Sequence, residues 1–169
     1  MTHKLDISLK FEKVDLVDKA ELSKVKSALN PNDEIGIWSL TAARINARKP
    51  RCILDCDERA IPNEINVLGQ AVHMKKGCYP GQETVAKVNN LGKPPRKLVL
   101  LHLDGSNVDL PKHGDQVFDG EKEVGFVGTV IRHYELGPIA LAVINRRTPI
   151  ENTLICDGIS ATQELIKRN

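Results

Sequence analysis

From residue 97 to residue 156, short apolar runs alternate with turn residues, and this rhythm restricts the fold more than any other feature of the chain. Residues 97–103, 116–118, 124–132, 139–144 and 153–156 are rich in Val, Ile and Leu. Asp104-Gly105, His113-Gly114, Asp119-Gly120 and Gly137-Pro138 separate them. Asp119-Gly120 between two strand-like runs is a hairpin signal. Short strands at this spacing predict a small antiparallel barrel or sandwich. Pro94-Pro95 marks where this region begins, so the chain divides into residues 1–92 and residues 93–169.

The first part reads differently. Leu5, Ile7, Leu9 and Phe11 alternate with polar residues, which predicts a strand with one buried face. Asp18 and Glu21 form a capping-box pattern ahead of Leu22, Val25 and Leu29, and Asn30-Pro31 ends that helix. Ile35 and Ile37 predict a second short strand. Ser39 is placed to cap a helix running towards Lys49, with Pro50 as its stop. Residues 51–64 carry charges and no period, so they read as a long loop, a class of segment that is often functional. Residues 67–74 read as an extended or buried segment. Pro80 and Gly81 open a helix through Val88, ended by Asn89-Asn90 and Gly92. The fold class is therefore α+β: a partial ferredoxin-like α/β lobe followed by a small β-barrel. The lobe is thin, and either a partner copy in a homodimer completes it or it is cut from a longer ancestor.

Composition excludes several functions. Aromatic residues make up only 4%, too few for a surface that stacks bases. Basic and acidic residues number 24 and 22, so no global field draws in nucleic acid, and direct nucleic-acid binding is not expected. Arg48-Lys49-Pro50-Arg51 and Lys93 to Lys97 read as solvated loops. No secretory signal opens the chain, and no apolar run approaches the ~18–20 residues that cross a bilayer. A cytoplasmic protein without a membrane partner is expected, with its four cysteines as thiols.

Chemistry concentrates at Lys76-Gly77-Cys78-Tyr79-Pro80-Gly81-Gln82-Glu83. Two glycines permit close backbone approach to a ligand. Cys78 lies just before a helix N-terminus with Lys75 and Lys76 beside it, a setting that favours the thiolate. Gln82 and Glu83 fall in the first turn, where an acidic side chain suits the helix dipole. Taken alone, a cysteine in a turn packs as a small hydrophobe; the whole string carries more weight.

This string resembles the signature of the YgfZ family. Further stretches are similar: Arg59 to Glu64 upstream, Val88 to Gly92 and Lys97 to Leu100 on the way into the barrel, and Val124 to Ala142 within it. The resemblance covers residues from about 35 to 160. It implies a fold like that of the glycine-cleavage T-protein, with a tetrahydrofolate or related folate ligand and a link to iron–sulfur proteins or their assembly machinery and, through them, to tRNA modification. By the same resemblance Cys78 is the functional thiol. Lys76, Gly77, Tyr79, Gly81, Gln82, Glu83, Arg44, Asn46 and Glu64 are then folate-site candidates. Family members are usually longer, so the first lobe and its catalytic aspartate are expected to be absent. Asn46 stands where the T-protein has an acidic residue, and Cys78 where it has another.

Other groups read more plainly. Cys52 and Cys56 are a C-x3-C pair, but Arg59 stands where a cluster motif needs a third cysteine, and zinc prefers two close pairs; no metal site is expected. Cys78 as a transient cluster ligand stays open. Asp55, Asp57 and Glu58 read as a solvated cluster, His102 as a satisfied sheet residue, and His133-Tyr134 as a strand end. Three functions follow: a folate-binding accessory protein for iron–sulfur cluster assembly or repair, a tetrahydrofolate-dependent aminomethyltransferase, or a ligand-free interaction scaffold.

Overall fold

The computed structural model describes residues 36–106 and 108–166. The strand expected at residues 5–11 and the helix expected at residues 18–29 lie outside them. Among the described residues, α1 (Ile37–Asn46), α2 (Leu68–Ala71) and α3 (Gln82–Leu91) precede six strands. These are β1 (Arg96–Leu103), β2 (Gln116–Asp119), β3 (Lys122–His133), β4 (Gly137–Asn145), β5 (Leu154–Cys156) and β6 (Ile159–Leu165). They close into an antiparallel barrel in the order β1-β4-β3-β2-β5-β6, so no strand edge is left unpaired. The class is α+β with a small barrel, as the turn spacing predicts. No helix among the described residues is long and apolar enough to cross a membrane.

Strand periodicity explains the packing. On β1, Val99, Leu101 and Leu103 point into the barrel, where Val117, Val127, Leu154 and Cys156 meet them. Ala140 and Ala142 of β4 lie opposite Leu101 and Val99, and these small residues make room for the large ones in a narrow interior. The alternate residues Leu98, Leu100, Ile139, Leu141 and Val143 face outward, yet they too are buried, under Ile45 of α1 and Ile65. A strand covered on both faces reads as a continuous apolar run, which is how residues 139–144 look in the sequence. Burying one such Leu contributes about 1.5–3 kcal/mol.

Residues 36–66 thus share a core with the barrel. The loop expected at residues 51–64 forms, and so does the Asp119-Gly120 hairpin, where Asp119 pairs with Lys122. The helix expected from Pro80-Gly81 forms and runs through Asn89 and Asn90 to Gly92.

Three local expectations are corrected. Ile37 opens α1 instead of a strand, because Thr41, Arg44 and Ile45 form a helical buried face while Ile37 stays exposed. Ser39 is no cap: Gly36 takes the N-cap position, with no side-chain hydrogen bond, and α1 ends at Asn46, short of Lys49. Residues 67–74 are not extended; they contain α2, closed by local bonds such as Ala71 N–H to Val67 O at 2.8 Å. Strand β6 was not expected. Its Ile159 and Ala161 face the interior between Ser160 and Thr162, a pattern too weakly apolar to stand out.

Candidate functional site

The string from Lys76 to Glu83 forms two successive turns that lead into α3. Lys76 N–H donates to His73 O at 3.1 Å, and Gln82 N–H to Tyr79 O at 3.2 Å. Gly81 caps α3 with φ of 78°, in the left-handed region that a side chain would strain, so glycine here is a geometric requirement. Its carbonyl accepts from Val85 N–H at 3.0 Å. Lys76, Gly77, Cys78 and Glu83 are exposed, Gln82 is half-buried, and Glu83 sits in the first turn. Lys76 Nζ lies 4.9 Å from the centre of the Tyr79 ring, a cation–π contact that orders the one long cation of the motif.

Two buried polar atoms near this motif stand out. Tyr79 Oη and Asn63 Oδ1 are buried without a hydrogen-bond partner. Buried polar groups almost always have partners, because an unmet one costs about 1–3 kcal/mol. Asn63 lines a groove of about 290 Å³ together with Pro62, Leu68, Val72, Met74 and Asn89. Val72 and Met74 lead into the motif, and Asn89 belongs to α3. Asn63 and Asn66 also line a second groove of about 350 Å³, which carries Lys97 and Arg146. Burial and the neighbouring Arg146 cation push the Lys97 ammonium below its usual range.

The other candidates from the sequence are placed elsewhere. Arg44 is buried and donates to Lys49 O and Asp55 Oδ2, both at 2.7 Å, and to Thr129 Oγ1 at 2.8 Å. Glu64 is buried and accepts both arms of Arg96, at 3.0 and 2.8 Å. Asn46 is the half-buried last residue of α1. Among the described residues, no hydrogen bond or ion pair joins Arg44, Asn46 or Glu64 to residues 76–83, although Glu64 reaches the wall of the second groove.

Asp55 and Asp57 depart from the expected solvated cluster. Asp55 is fully buried. Its carboxylate accepts from Arg44, from Arg51 N–H at 2.8 Å and from Thr129 N–H at 2.7 Å. Thr129 is free to donate because β3 bulges between Val127 and Val130. Gly128 makes this approach possible: a Cβ there would fall 2.6 Å from Asp55 Oδ1. An isolated glycine within a strand pattern is the sequence signal that could have located the bulge. Asp57 meets Arg96 at 2.8 and 2.9 Å, and that guanidinium holds its carboxyl below the usual range. Asn63 lies within the stretch Arg59 to Glu64 that resembles the family, but nothing in the sequence singled it out as a site residue.

The histidines follow expectation. His102 meets Glu164 at 3.1 Å across the sheet. His133 ends β3, where its Nδ1 accepts from Glu135 and Leu136 N–H. Cys156 packs inside the barrel, and burial pushes its thiol up to about 12. Among the described residues, no group of three or more His, Cys, Asp or Glu is arranged to hold a metal ion.

No family model matches the chain. Curated relatives do. The tRNA-modifying protein YgfZ of Colwellia psychrerythraea is 30% identical over 124 residues, which cover 70% of this chain and 36% of that protein. The protein of the same name from Aliivibrio fischeri strain MJ11 is 34% identical, over 75% of this chain and 40% of its own length. That from Buchnera aphidicola is 38% identical over 56% of this chain and 31% of its own. The chain belongs to the YgfZ family. It spans well under half the length of these relatives. Within this family member, the signature string occupies the exposed turns before α3, and the barrel forms the other end of the described structure.

Proposed function

We propose that this YgfZ-family chain is a folate-binding accessory protein that supports iron–sulfur cluster assembly or repair and, through it, tRNA modification. The observation that carries the reading is the pair of unpartnered buried atoms, Tyr79 Oη and Asn63 Oδ1, at the motif and in the groove beside it. A reduced pterin ring in the groove offers N–H donors that suit Asn63 Oδ1, and Tyr79 Oη is left to a polar group that reaches the motif. Lys97 and Arg146 in the adjoining groove are the cations that would meet a carboxylate tail. Each groove is near the lower end of the ~300–1,000 Å³ typical of small-molecule sites, so an elongated ligand across both fits better than a compact one. When bound, a reduced folate supplies a group carrier.

In this reading the protein's own residues bind and orient. Lys76, held over the Tyr79 ring, adds positive charge at the motif. Gly77 and Gly81 allow close backbone approach, while Gln82 and Glu83 offer polar contacts in the first turn of α3. Cys78, exposed and beside Lys76, is the functional thiol. Glu64 acts by positioning, since it ties the wall of the second groove to Arg96 of β1, while Arg44 fastens the loop at Asp55 to Thr129 of the barrel. Asn46 remains a half-buried amide that can hydrogen-bond but brings no carboxylate. The four free cysteines suit a reducing, cytoplasmic setting.

The test is calorimetric titration of the chain with folinic acid and with tetrahydrofolate, alongside Lys76→Ala and Asn63→Ala. Saturable binding, weakened about tenfold or more in each variant, is the expected result. A folded chain that binds neither ligand would overturn the folate reading and favour the scaffold reading. Cys78→Ala is expected to fold and bind yet fail to restore iron–sulfur enzyme activity in cells lacking the protein.

A further inference from the structure

Cys52 and Cys56 lie in the loop after α1 and take no part in the site above. Two hydrogen bonds close residues 51 to 55 into a ring: Asp55 N–H to Arg51 O, and Arg51 N–H to Asp55 Oδ2, both at 2.8 Å. With residues 51 and 55 held together, the residues that follow them, Cys52 and Cys56, come side by side. Burial, and with it the nearby Cys52 thiol, raises the Cys56 thiol pKa, so the two side chains lie within reach of each other. A disulfide needs Cα atoms about 4.4–6.8 Å apart, so the pair closes only if the ring at residues 51 and 55 holds the next two residues this near.

The ring is built, not incidental. Ile53, between the two cysteines, has φ of 78°, an unfavourable conformation for a β-branched residue. Its side chain is 85% exposed, so no burial of its own offsets the strain. What holds the ring is Asp55, whose carboxylate is fixed by Arg44 and by the β3 bulge. Strain of this kind persists only where the surroundings enforce it, and it gathers at functional positions. Access is asymmetric: Cys52 is exposed and Cys56 is half-buried.

We propose that Cys52 and Cys56 are a dithiol that exchanges with small disulfides and closes to an intramolecular disulfide. Cys52, the accessible thiol, loses its proton and attacks one sulfur of R–S–S–R. This forms a Cys52–S–S–R bond and releases a thiolate, RS⁻, which takes up a proton. Cys56 then loses its proton and attacks Cys52 Sγ, which forms the Cys52–Cys56 bond and expels the second RS⁻. Two protein thiols are oxidised, and the small disulfide is reduced to two thiols. Burial pushes the Cys56 thiol up, which leaves the exposed Cys52 as the first thiol to attack. This inference does not depend on folate binding.

The experiment treats the full chain with oxidised glutathione, alkylates the remaining thiols, and maps tryptic peptides. Cleavage after Arg51 and Arg59 isolates both cysteines in one peptide, residues 52–59. The expected product is that peptide lighter by two hydrogens, unalkylated, and free of glutathione. In Cys52→Ser, an exposed change, this product is expected to vanish and Cys56 to be recovered alkylated. A stable glutathione adduct on Cys52 with Cys56 still alkylated would overturn the proposal, as would a Cys52–Cys78 disulfide as main product. Phenylarsine oxide gives a second readout: the chain is expected to bind it against a monothiol competitor and to lose that binding in Cys52→Ser. Equal binding by chain and variant would also count against the pair.

Discussion

The barrel and the motif segment are built on opposite terms. Every strand of the barrel pairs on both sides, and β1 and β4 bury both faces. From Leu68 to Leu91, by contrast, the one buried residue is Val85, and the signature string is largely exposed. Barrel residues are fixed by packing, so their identities answer to volume and register. Motif residues contribute little burial, so their composition answers to something else, and a ligand or partner is the natural candidate. Between the two lies the loop of residues 51–64, which looks like surface in the sequence but is fastened to the barrel through Asp55 and Glu64.

Substitutions can break this contrast. The largest effect is expected at Asp55→Ala, which leaves the buried Arg44 cation without its carboxylate. A loss of about 3–5 kcal/mol in denaturant unfolding is expected; a loss below about 1 kcal/mol, as for exposed pairs, would mean the loop is not anchored there. Gly128→Ala is expected to cost about 1–3 kcal/mol, since the new methyl meets the Asp55 carboxylate and the Leu141 carbonyl. Gly81→Ala, on the motif side, is expected to cost only about 1–2 kcal/mol through its left-handed backbone, read by the same unfolding curve.

The smaller effects sharpen the contrast. Asp57 has a lowered carboxyl pKa in the folded protein, because Arg96 bonds its charged form. Its contribution is present above the ordinary carboxylate range near pH 4 and is lost as pH falls through the lower folded value. Stability measured between about pH 5 and pH 2 should therefore fall less steeply in Asp57→Asn than in the natural chain. Tyr79→Phe removes a buried hydroxyl that has no partner. It is expected to leave stability unchanged or raise it by up to about 1 kcal/mol while weakening folinate binding. A destabilised Tyr79→Phe would show that the hydroxyl already has a partner within the chain.

How much was legible follows the same division. Strands with dense Val, Ile and Leu between glycine turns announced the barrel, and Pro80-Gly81 announced α3. Strand β6 escaped because Ala161, Thr162 and Gln163 carry little apolar signal. Ile37 misled because its apolar side chain lies on the exposed side of a helix. Asp55 escaped for a deeper reason: its burial depends on Arg44, Arg51 and a bulge at Gly128 far along the chain. No local pattern encodes such a meeting. The motif string was visible at once, but the unpartnered oxygen of Asn63 could be found only after folding brought it to the groove.

Hydrogen exchange of the full chain with and without saturating folinic acid tests the contrast most directly. Slower exchange confined to peptides covering residues 61–66 and 76–91, with barrel peptides unchanged, is the expected result. Unchanged exchange across the motif, or protection only in the barrel, would contradict the assignment of the motif and its groove as the ligand site.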